Sequence, residues 1–323
     1  MNSASRAPER PSAAWQGRSR GTPLGHRIFI FLIRRAGLWA AYALLVPVAL
    51  YFVIAARGPG RAWLRYHARV RPADRSPRAW VLFRAYHAFG QRIIDKAAVM
   101  AGLHDRFVTD HQAAATLQRI LDEGRGGLLI SAHVGNWQMA SYMLKRYRGQ
   151  VSVVMLDAEE QAIKRAHDEA TQDRRYEVIA LKDDMSHLFR IRGALAEGRL
   201  VCIHGDRALP GSRTARVPFL GHEAPFPLGP FAIAAAFDVP VCFSFVLRTG
   251  PRHYTFTATD PLPHHRDAKV HLARFAAALE EVVRRHPFQW SNFYDFWGDV
   301  PAAAPGRGRA AVPAAPPADH IGR

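Results

Sequence analysis

The residues best suited to chemistry lie at the end of an apolar run, in the stretch GGLLISAHVGNWQ from Gly126 to Gln138. His133 follows the run and has the side chain of a general base, because an imidazole gains and loses protons near neutral pH. Gln138 lies five positions later, where its side chain could hold one ring nitrogen across a tight turn while the other nitrogen accepts a proton. Gly135 permits such a turn, and Asn136 is a residue type that caps helices. On the residues alone, a capped turn around a structural histidine is an equally good interpretation.

Segments with strand and helix patterns alternate around this stretch. The sequence predicts helices at 111–123, from Asn136, and at 158–173, 185–197, 229–237 and 268–286, and strands at 127–132, 151–156, 176–181, 199–204, 239–248 and 253–260. This alternation is typical of an α/β layered domain with a largely parallel sheet flanked by helices. His133 would then lie at the carboxyl end of a strand, where open α/β sheets bind ligands, and the N–H groups of the next helix could hold a carbonyl or an oxyanion.

The N-terminal part of the chain is basic on both sides of an uncharged segment. The 323 residues carry a formal net charge of +17. Residues 1–35 hold seven arginines and one glutamate, and residues 57–78 hold seven arginines and one aspartate, so each block carries 7 − 1 = +6. Residues 36–56 hold no charge and, as a helix, would span roughly 31 Å, about one hydrocarbon core. We predict a transmembrane or membrane-associated helix, with a buried core helix as the alternative, and the two basic flanks leave its orientation open.

The second basic block has the pattern of an amphipathic helix. Arginines recur every four residues on one face and apolar side chains lie on the other: Arg61, Arg65 and Arg69 against Trp63, Tyr66 and Val70. Such a helix suits an anionic leaflet. A solvated arginine face is the plainer interpretation, and nucleic acid is a third, for which the chain has no recognised motif.

The remaining features set the expected boundaries and argue against a metal site and a disulfide framework. Cys202 and Cys242 lie in apolar runs, which favours buried free thiols, and the sixteen histidines show no metal-binding spacing, so we predict no metal. The expected organisation is a disordered basic tail (1–27), a membrane anchor helix (28–57), an α/β domain (58–300) and a disordered Pro/Ala-rich tail (301–323).

Four blocks of the sequence resemble a known family. They read SAHVGNWQ, GRLVCIHGDR, VPFLGHEAPFPLGPFAIAAAFDVPV and HPFQWSNFYDFW. They are similar, in the expected order, to blocks of the late lipid A acyltransferases, a branch of the glycerolipid (lysophospholipid) acyltransferase superfamily marked by a histidine, four residues, and a glutamate or aspartate. The resemblance covers about residues 28–298. The later blocks differ from those of the lipid A enzymes proper and resemble those of a side branch, for which the expected acceptors are other lipids, such as polyene or amino-acid lipids.

The resemblance implies direct acyl transfer without a metal, a cofactor or an acyl-enzyme. The donor would be a thioester on acyl carrier protein or CoA, and the acceptor a hydroxyl of a lipid at the cytoplasmic face of the bacterial inner membrane. We expect a monomer with no specific nucleic-acid partner. Carried over to this chain, His133 is the general base, its partner in the motif is Gln138, and the substrate-binding positions are Gly135, Asn136, Asp206, Arg207, Phe219 and Gly221. Arg207 has two interpretations, a phosphate ligand or a salt bridge to Asp206 or another carboxylate.

Gln138 departs from the family pattern. Its amide oxygen can accept a ring N–H, but it carries no charge to stabilise an imidazolium, so the sequence predicts a weakened or differently assisted base. Asp157, Asp184 or Asp206 could supply the missing charge if the fold brings one of them to His133. A catalytically silent lipid-binding relative is therefore the alternative function.

Overall fold

The computed structural model describes residues 23–144, 147, 150–156, 176–181 and 184–298. The helix predicted at 158–173 lies outside these residues, as do most of the predicted N-terminal tail and the C-terminal tail. Three helices come first: α1 (Pro23–Ala55), α2 (Arg57–Val70) and α3 (Arg78–Met100). The backbone of α1 departs from helical geometry at Gly37, where φ is +81°.

The strands are β1 (Val108–His111), β2 (Gly127–Ser131), β3 (Val151–Leu156), β4 (Glu177–Leu181), β5 (Leu200–His204), β6 (Thr214–Phe219), β7 (His222–Pro227), β8 (Val241–Gly250) and β9 (His253–Ala258). The remaining helices of the described chain are α4 (Ala114–Asp122), α5 (Trp137–Met143), α6 (Ser186–Ala196), α7 (Gly229–Ala236) and α8 (Ala268–Arg285). A 3-10 turn covers His104–Arg106. Sequence signals mark two of the helix starts: α7 has proline in its first turn, and Asp267 accepts the N–H of Lys269 at the start of α8.

A seven-stranded sheet forms the centre of the domain, in the order β1-β9-β8-β2-β5-β3-β4. All the pairs that strands β2, β3, β4, β5 and β8 form with one another are parallel. Strand β9 runs antiparallel to β8, and β1 pairs parallel with β9. The predicted α/β domain with a largely parallel sheet flanked by helices is therefore confirmed. Strands β6 and β7 form a separate antiparallel hairpin, which was not predicted from the sequence.

The sheet is covered on both faces, so its central strands are buried on both sides. Successive residues of β2 alternate between two cores: Leu128 and Ile130 pack with α2, α6, α7 and α8, whereas Leu129 packs with α1, α3, α4 and α5. A strand buried on both faces reads as a continuous apolar run, which is why β2 and β5 were recognisable in the sequence.

Of the N-terminal helices, α2 differs from its predicted surroundings, whereas α1 has the apolar character predicted for it. The faces of α2 are as predicted, but its apolar face is buried in the protein: Trp63 stacks on Phe288, and Tyr66 contacts Trp290 edge to face. That face is therefore not available to a membrane, while Arg57, Arg61 and Arg65 are exposed. Helix α1 contains a segment, Phe31–Ala55, that is long and apolar enough to cross a membrane by length and composition.

Candidate active site

Two adjacent parallel strands bring His133 and Asp206 together. In the pairing of β2 with β5, Ser131 lies opposite His204, and each is the last residue of its strand. His133 and Asp206 each follow two residues later, so both leave the sheet at the same edge. This is the carboxyl edge at which His133 was predicted to lie.

Asp206 binds the histidine through its ring and its backbone. His133 Nδ1 lies 2.7 Å from Asp206 Oδ1, and the His133 backbone N–H donates to Oδ2 at 3.0 Å. The indole Nε1 of Trp290 also donates to Oδ2, at 3.0 Å. Because an ionised carboxylate only accepts hydrogen bonds, the ring proton belongs on Nδ1 and the lone pair on Nε2. This arrangement presents Nε2 as the proton acceptor.

The carboxylate is held in its charged form although it is buried. The Asp206 side chain is 1% exposed, and that of His133 is 12% exposed. Burial by itself would raise the pKa of Asp206, but the His133 imidazole, the hydrogen bond it donates and the nearby Arg207 guanidinium together lower that pKa well below its usual value. A carboxylate that stays ionised can stabilise an imidazolium formed on His133.

A second histidine packs on the first. The ring of His204 lies 4.3 Å from that of His133, centroid to centroid, and Trp137 meets His204 edge to face at 5.1 Å. Burial lowers the pKa of His204 to about 3, with a smaller contribution from His133 in the same direction. His204 is therefore neutral at physiological pH, and it adds no positive charge against the ring on which it packs.

Gly135 and Asn136 shape the turn, but not entirely as predicted. Gly135 has a φ of +64°, and a β-carbon there would lie 1.9 Å from the carbonyl oxygen of Val246, so only glycine fits. Asn136 occupies the N-cap position of α5, yet its side chain makes no capping bond. Its Nδ2 donates instead to the carbonyl of Arg92 at 3.2 Å and to Tyr254 Oη at 3.5 Å. The predicted side-chain cap is therefore wrong, because the amide is used to join the turn to α3 and β9.

Two backbone N–H groups just before α5 already donate hydrogen bonds to carbonyl groups of the protein. The N–H of Gly135 donates to the carbonyl of Gln289, and that of Asn136 donates to the carbonyl of Val246, each at 2.9 Å. An oxyanion held by this helix start would therefore have to use N–H groups further along α5.

The C-terminal segment fastens the same turn. Val134 bridges to Trp290, and the N–H of Ser291 donates to the carbonyl of His133 at 3.0 Å. Arg207 donates to the carbonyl of Ser291 at 2.8 Å, so one arm of this guanidinium has a structural contact. The indole of Trp290 is buried and meets Phe296 edge to face, so aromatic residues of this segment pack in the core.

The other predicted site residues are spread more widely. Gln138 lies in the first turn of α5, and its side chain is outside the described part of the structure. Asp157 is also outside it, and Asp184 is exposed and accepts the N–H of Ser186. Of the three candidate carboxylates, the described contacts with His133 are those of Asp206.

Phe219 and Gly221 belong to the β6–β7 hairpin. Phe219 is fully buried and contacts Trp290 edge to face at 5.5 Å, so it supports the residue that binds Asp206. Leu220 and Gly221 form the hairpin turn, and both have positive φ. The roles of Phe219 and Gly221 in substrate binding remain predictions.

An apolar cavity of about 120 Å³ lies beside the two histidines. It lies between the sheet and helices α3 and α5, and His204 and Trp137 are part of its wall. Most of the remaining wall is apolar and includes Leu129, Ala140, Leu144, Val153, Met155 and Phe256. Its chemistry suits a hydrocarbon chain whose head lies near His133.

His133, His204 and Asp206 are the group among the described residues whose side chains could meet a metal ion, with ligand atoms within 4.8 Å of one another. Asp206 already accepts three N–H groups in this arrangement. Both cysteines are free, and burial raises the pKa of each thiol to about 12, which removes the thiolate needed for nucleophilic attack.

Sequence reasoning missed His204 and Trp290 as parts of this site. His204 carried a usable signal, because it ends a predicted strand two residues before Asp206. Trp290 carried none, because its role depends on a contact across 84 positions of the chain.

Comparisons with known proteins agree with the resemblance seen in the sequence. The family described as bacterial lipid A biosynthesis acyltransferase matches residues 78–298. A phosphatidylinositol mannoside acyltransferase from Mycolicibacterium smegmatis is 30% identical over 115 residues. That alignment covers 35% of this chain and 38% of the length of the mycobacterial protein.

Proposed function

The chain belongs to the bacterial lipid A biosynthesis acyltransferase family, and on that premise we propose that it is a membrane-anchored acyltransferase with His133 as its general base. It moves a fatty acyl group from a thioester to a hydroxyl of a lipid or glycolipid acceptor. The observation that carries this proposal is the 2.7 Å contact between His133 Nδ1 and Asp206 Oδ1.

The geometry supports a direct transfer. Nε2 of His133 takes the proton of the acceptor hydroxyl as its oxygen attacks the thioester carbonyl. Asp206 stabilises the imidazolium that forms. When the tetrahedral intermediate collapses, the C–S bond breaks and the thiolate receives the proton from His133, which returns the base to its starting state. The raised thiol pKa of Cys202 argues against an acyl-cysteine intermediate.

The position of Asp206 also argues against the alternative function, a catalytically silent lipid-binding relative. That alternative was based on Gln138, which lacks the charge expected at its position. Since a buried carboxylate binds the ring from the neighbouring strand, the motif glutamine does not leave His133 unassisted. We therefore favour an active enzyme that uses no metal and no cofactor.

The donor and the location follow from charge and apolarity. A chain of net charge +17 favours an anionic donor, which acyl carrier protein and CoA both are, so we propose a thioester of one of these two. The apolar helix α1 and the exposed arginines of α2 favour the cytoplasmic face of the inner membrane. As acceptor we propose a lipid or glycolipid, either of the lipid A type or like the mannoside in the name of the mycobacterial relative.

The test is transfer of labelled acyl groups to total bacterial membrane lipid by the purified full-length protein. Acyl carrier protein and CoA thioesters are compared as donors, and lipid products are identified by mass. His133→Ala should abolish the product, whereas His264→Ala, which changes an exposed histidine, should leave it unchanged. Product formed by His133→Ala at the wild-type rate would refute the proposed base, and no product from the wild type with either donor would refute the proposed activity.

A further inference from the structure

Helix α1 packs lengthwise and antiparallel on α3. The Tyr42 hydroxyl donates to the carboxylate of Asp95, Leu45 meets Gly90, and Phe52 packs against Tyr86. As residue numbers rise along α1, those of their partners fall along α3. Contact at Leu45 is so close that a β-carbon on Gly90 would come within 2.2 Å of it. The two helices therefore form one unit over most of the apolar segment.

This partner cannot accompany α1 across a bilayer. Helix α3 carries Arg84, Arg92, Asp95 and Lys96 within or next to the stretch that packs on α1, and Asp95 contacts α1 directly. Asp95 also accepts from the Tyr254 hydroxyl on β9 and lies 3.5 Å from Arg248 Nε on β8. A crossing α1 would thus draw charged and ionisable side chains, together with strands β8 and β9, towards hydrocarbon, which is strongly unfavourable.

The other face of α1 is apolar and exposed. Ala41, Leu45 and Ala49 are at most 4% exposed, on the side towards α3. On the opposite side lie Trp39, Val46, Leu50, Tyr51 and Ile54, which are 40–74% exposed. We call these five residues the outer face of α1. A continuous apolar face of this kind marks a contact with lipid or with another protein.

Charges at the two ends of the apolar segment identify lipid as the occupant. Arg34 and Arg35 directly precede the uncharged residues 36–56, Arg57 and Arg61 follow them, and all four arginines are exposed. A spanning helix would place one of these pairs on each side of the membrane, whereas cations normally gather on one side. Both pairs can meet the same anionic headgroups if the helix lies flat, which explains why the two flanks are equally basic.

We propose that α1 is a monotopic anchor: it lies in the surface of an anionic leaflet, inserts its outer face and does not cross the bilayer. The catalytic domain and both ends of α1 then lie on one side of the membrane. The inference concerns topology and is independent of which acyl donor or acceptor the enzyme uses.

The test is the side of the membrane on which the two ends of α1 lie. Single substitutions Arg34→Cys and Arg57→Cys are made in the full-length protein, and spheroplasts are treated with a membrane-impermeant maleimide. The wild type measures the background from its two native thiols. We expect neither position to react above background in intact spheroplasts and both to react after lysis. Reaction of either position from outside the intact cells would overturn the proposal.

A second measurement tests the outer face itself. Leu50→Glu combined with Ile54→Glu should lower partitioning of the purified protein into vesicles of phosphatidylglycerol and phosphatidylcholine by about 100-fold, because two apolar side chains are replaced by charges. The matched control is Met185→Glu combined with Phe189→Glu, which alters two exposed apolar residues near the start of α6 and should leave partitioning unchanged. Equal loss in both variants, or a dimer-to-monomer change with unaltered partitioning in the first, would contradict insertion of this face.

Discussion

Replacing Asp206 by asparagine should remove most of the activity by reversing the tautomer of His133. Oδ2 of Asp206 accepts two N–H groups, from the His133 backbone and from Trp290, while Oδ1 faces the ring Nδ1. An amide has only one oxygen. If that oxygen stays with the two N–H donors, the NH₂ group faces Nδ1 and must donate to it, which moves the ring proton to Nε2. The lone pair needed to accept the hydroxyl proton is then lost.

The alternative orientation of the amide is less favourable. Its NH₂ group would face the two buried N–H donors and leave both without an acceptor, at about 1–3 kcal/mol each. The tautomer-reversing orientation should therefore dominate. In the serine-protease triad, the equivalent Asp-to-Asn change lowers the rate about 10⁴-fold. We expect a loss of about 10³- to 10⁴-fold here, or about 4–5.5 kcal/mol of transition-state stabilisation.

The assay is single-turnover acyl transfer with the purified variant, alongside its thermal unfolding. Trp290→Phe provides the control, because it removes one N–H donor to Oδ2 but leaves the contact between Oδ1 and Nδ1. That variant should lose about 1.5–3 kcal/mol of stability, the typical contribution of a hydrogen bond to a charged group. Its activity should stay within about tenfold of the wild type, because the lost hydrogen bond does not set the tautomer of His133. A folded Asp206→Asn protein whose rate is within tenfold of the wild type would refute the tautomer argument.

Three further outcomes follow from the site. The folded-state pKa of His204, about 3, lies below its unfolded value near 6.5, so the protein is destabilised as the pH falls from 6.5 towards 3 and the unfolded chain takes up a proton that the folded one does not. Between pH 8 and pH 5, urea unfolding should show that the wild type loses about 2 kcal/mol of unfolding free energy that His204→Phe does not lose. Equal losses in the two proteins would contradict the burial of a neutral His204. Ala140→Phe adds bulk to the cavity wall and should shift the preferred acyl chain to a shorter one in competition assays. The control Ala115→Phe, on the exposed side of α4, should leave the preferred chain length unchanged. An unchanged preference in both variants would exclude the cavity as the acyl site. Gln138→Glu should change the transfer rate little because Asp206 already holds Nδ1, and a rise of an order of magnitude would show that the motif carboxylate is still needed.

The sequence was sufficient for the elements that bury continuous apolar runs. Strands β2 and β5 were predicted within one residue of their bounds. The position of His133 at the carboxyl end of a strand was also predicted. The hairpin of β6 and β7 was not assigned because its turn, Leu220 and Gly221, lacks the Asn-Gly or Asp-Gly pair that usually announces such a turn. Strand β1 has only four residues and offers little periodicity to detect.

The partner of His133 could not be chosen from the sequence for a different reason. Asp206 reaches it from 73 positions away, and only the adjacency and register of β2 and β5 bring the two to the same edge. Local spacing pointed to Gln138, five positions from the histidine. Similarly, composition identified α1 as an apolar helix of membrane length, but its alignment with the charged helix α3 depends on contacts that composition does not contain.

The fastening of the His133 turn by residues 289–291 has a consequence for the timing of biosynthesis. Translation produces the base and its carboxylate partner long before Gln289, Trp290 and Ser291, which supply the carbonyl, the indole and the N–H that hold the turn in place. A nascent chain still lacking those residues has the chemical groups of the site without their geometry. The enzyme should therefore become competent only late in synthesis, long after the apolar helix α1 has been made.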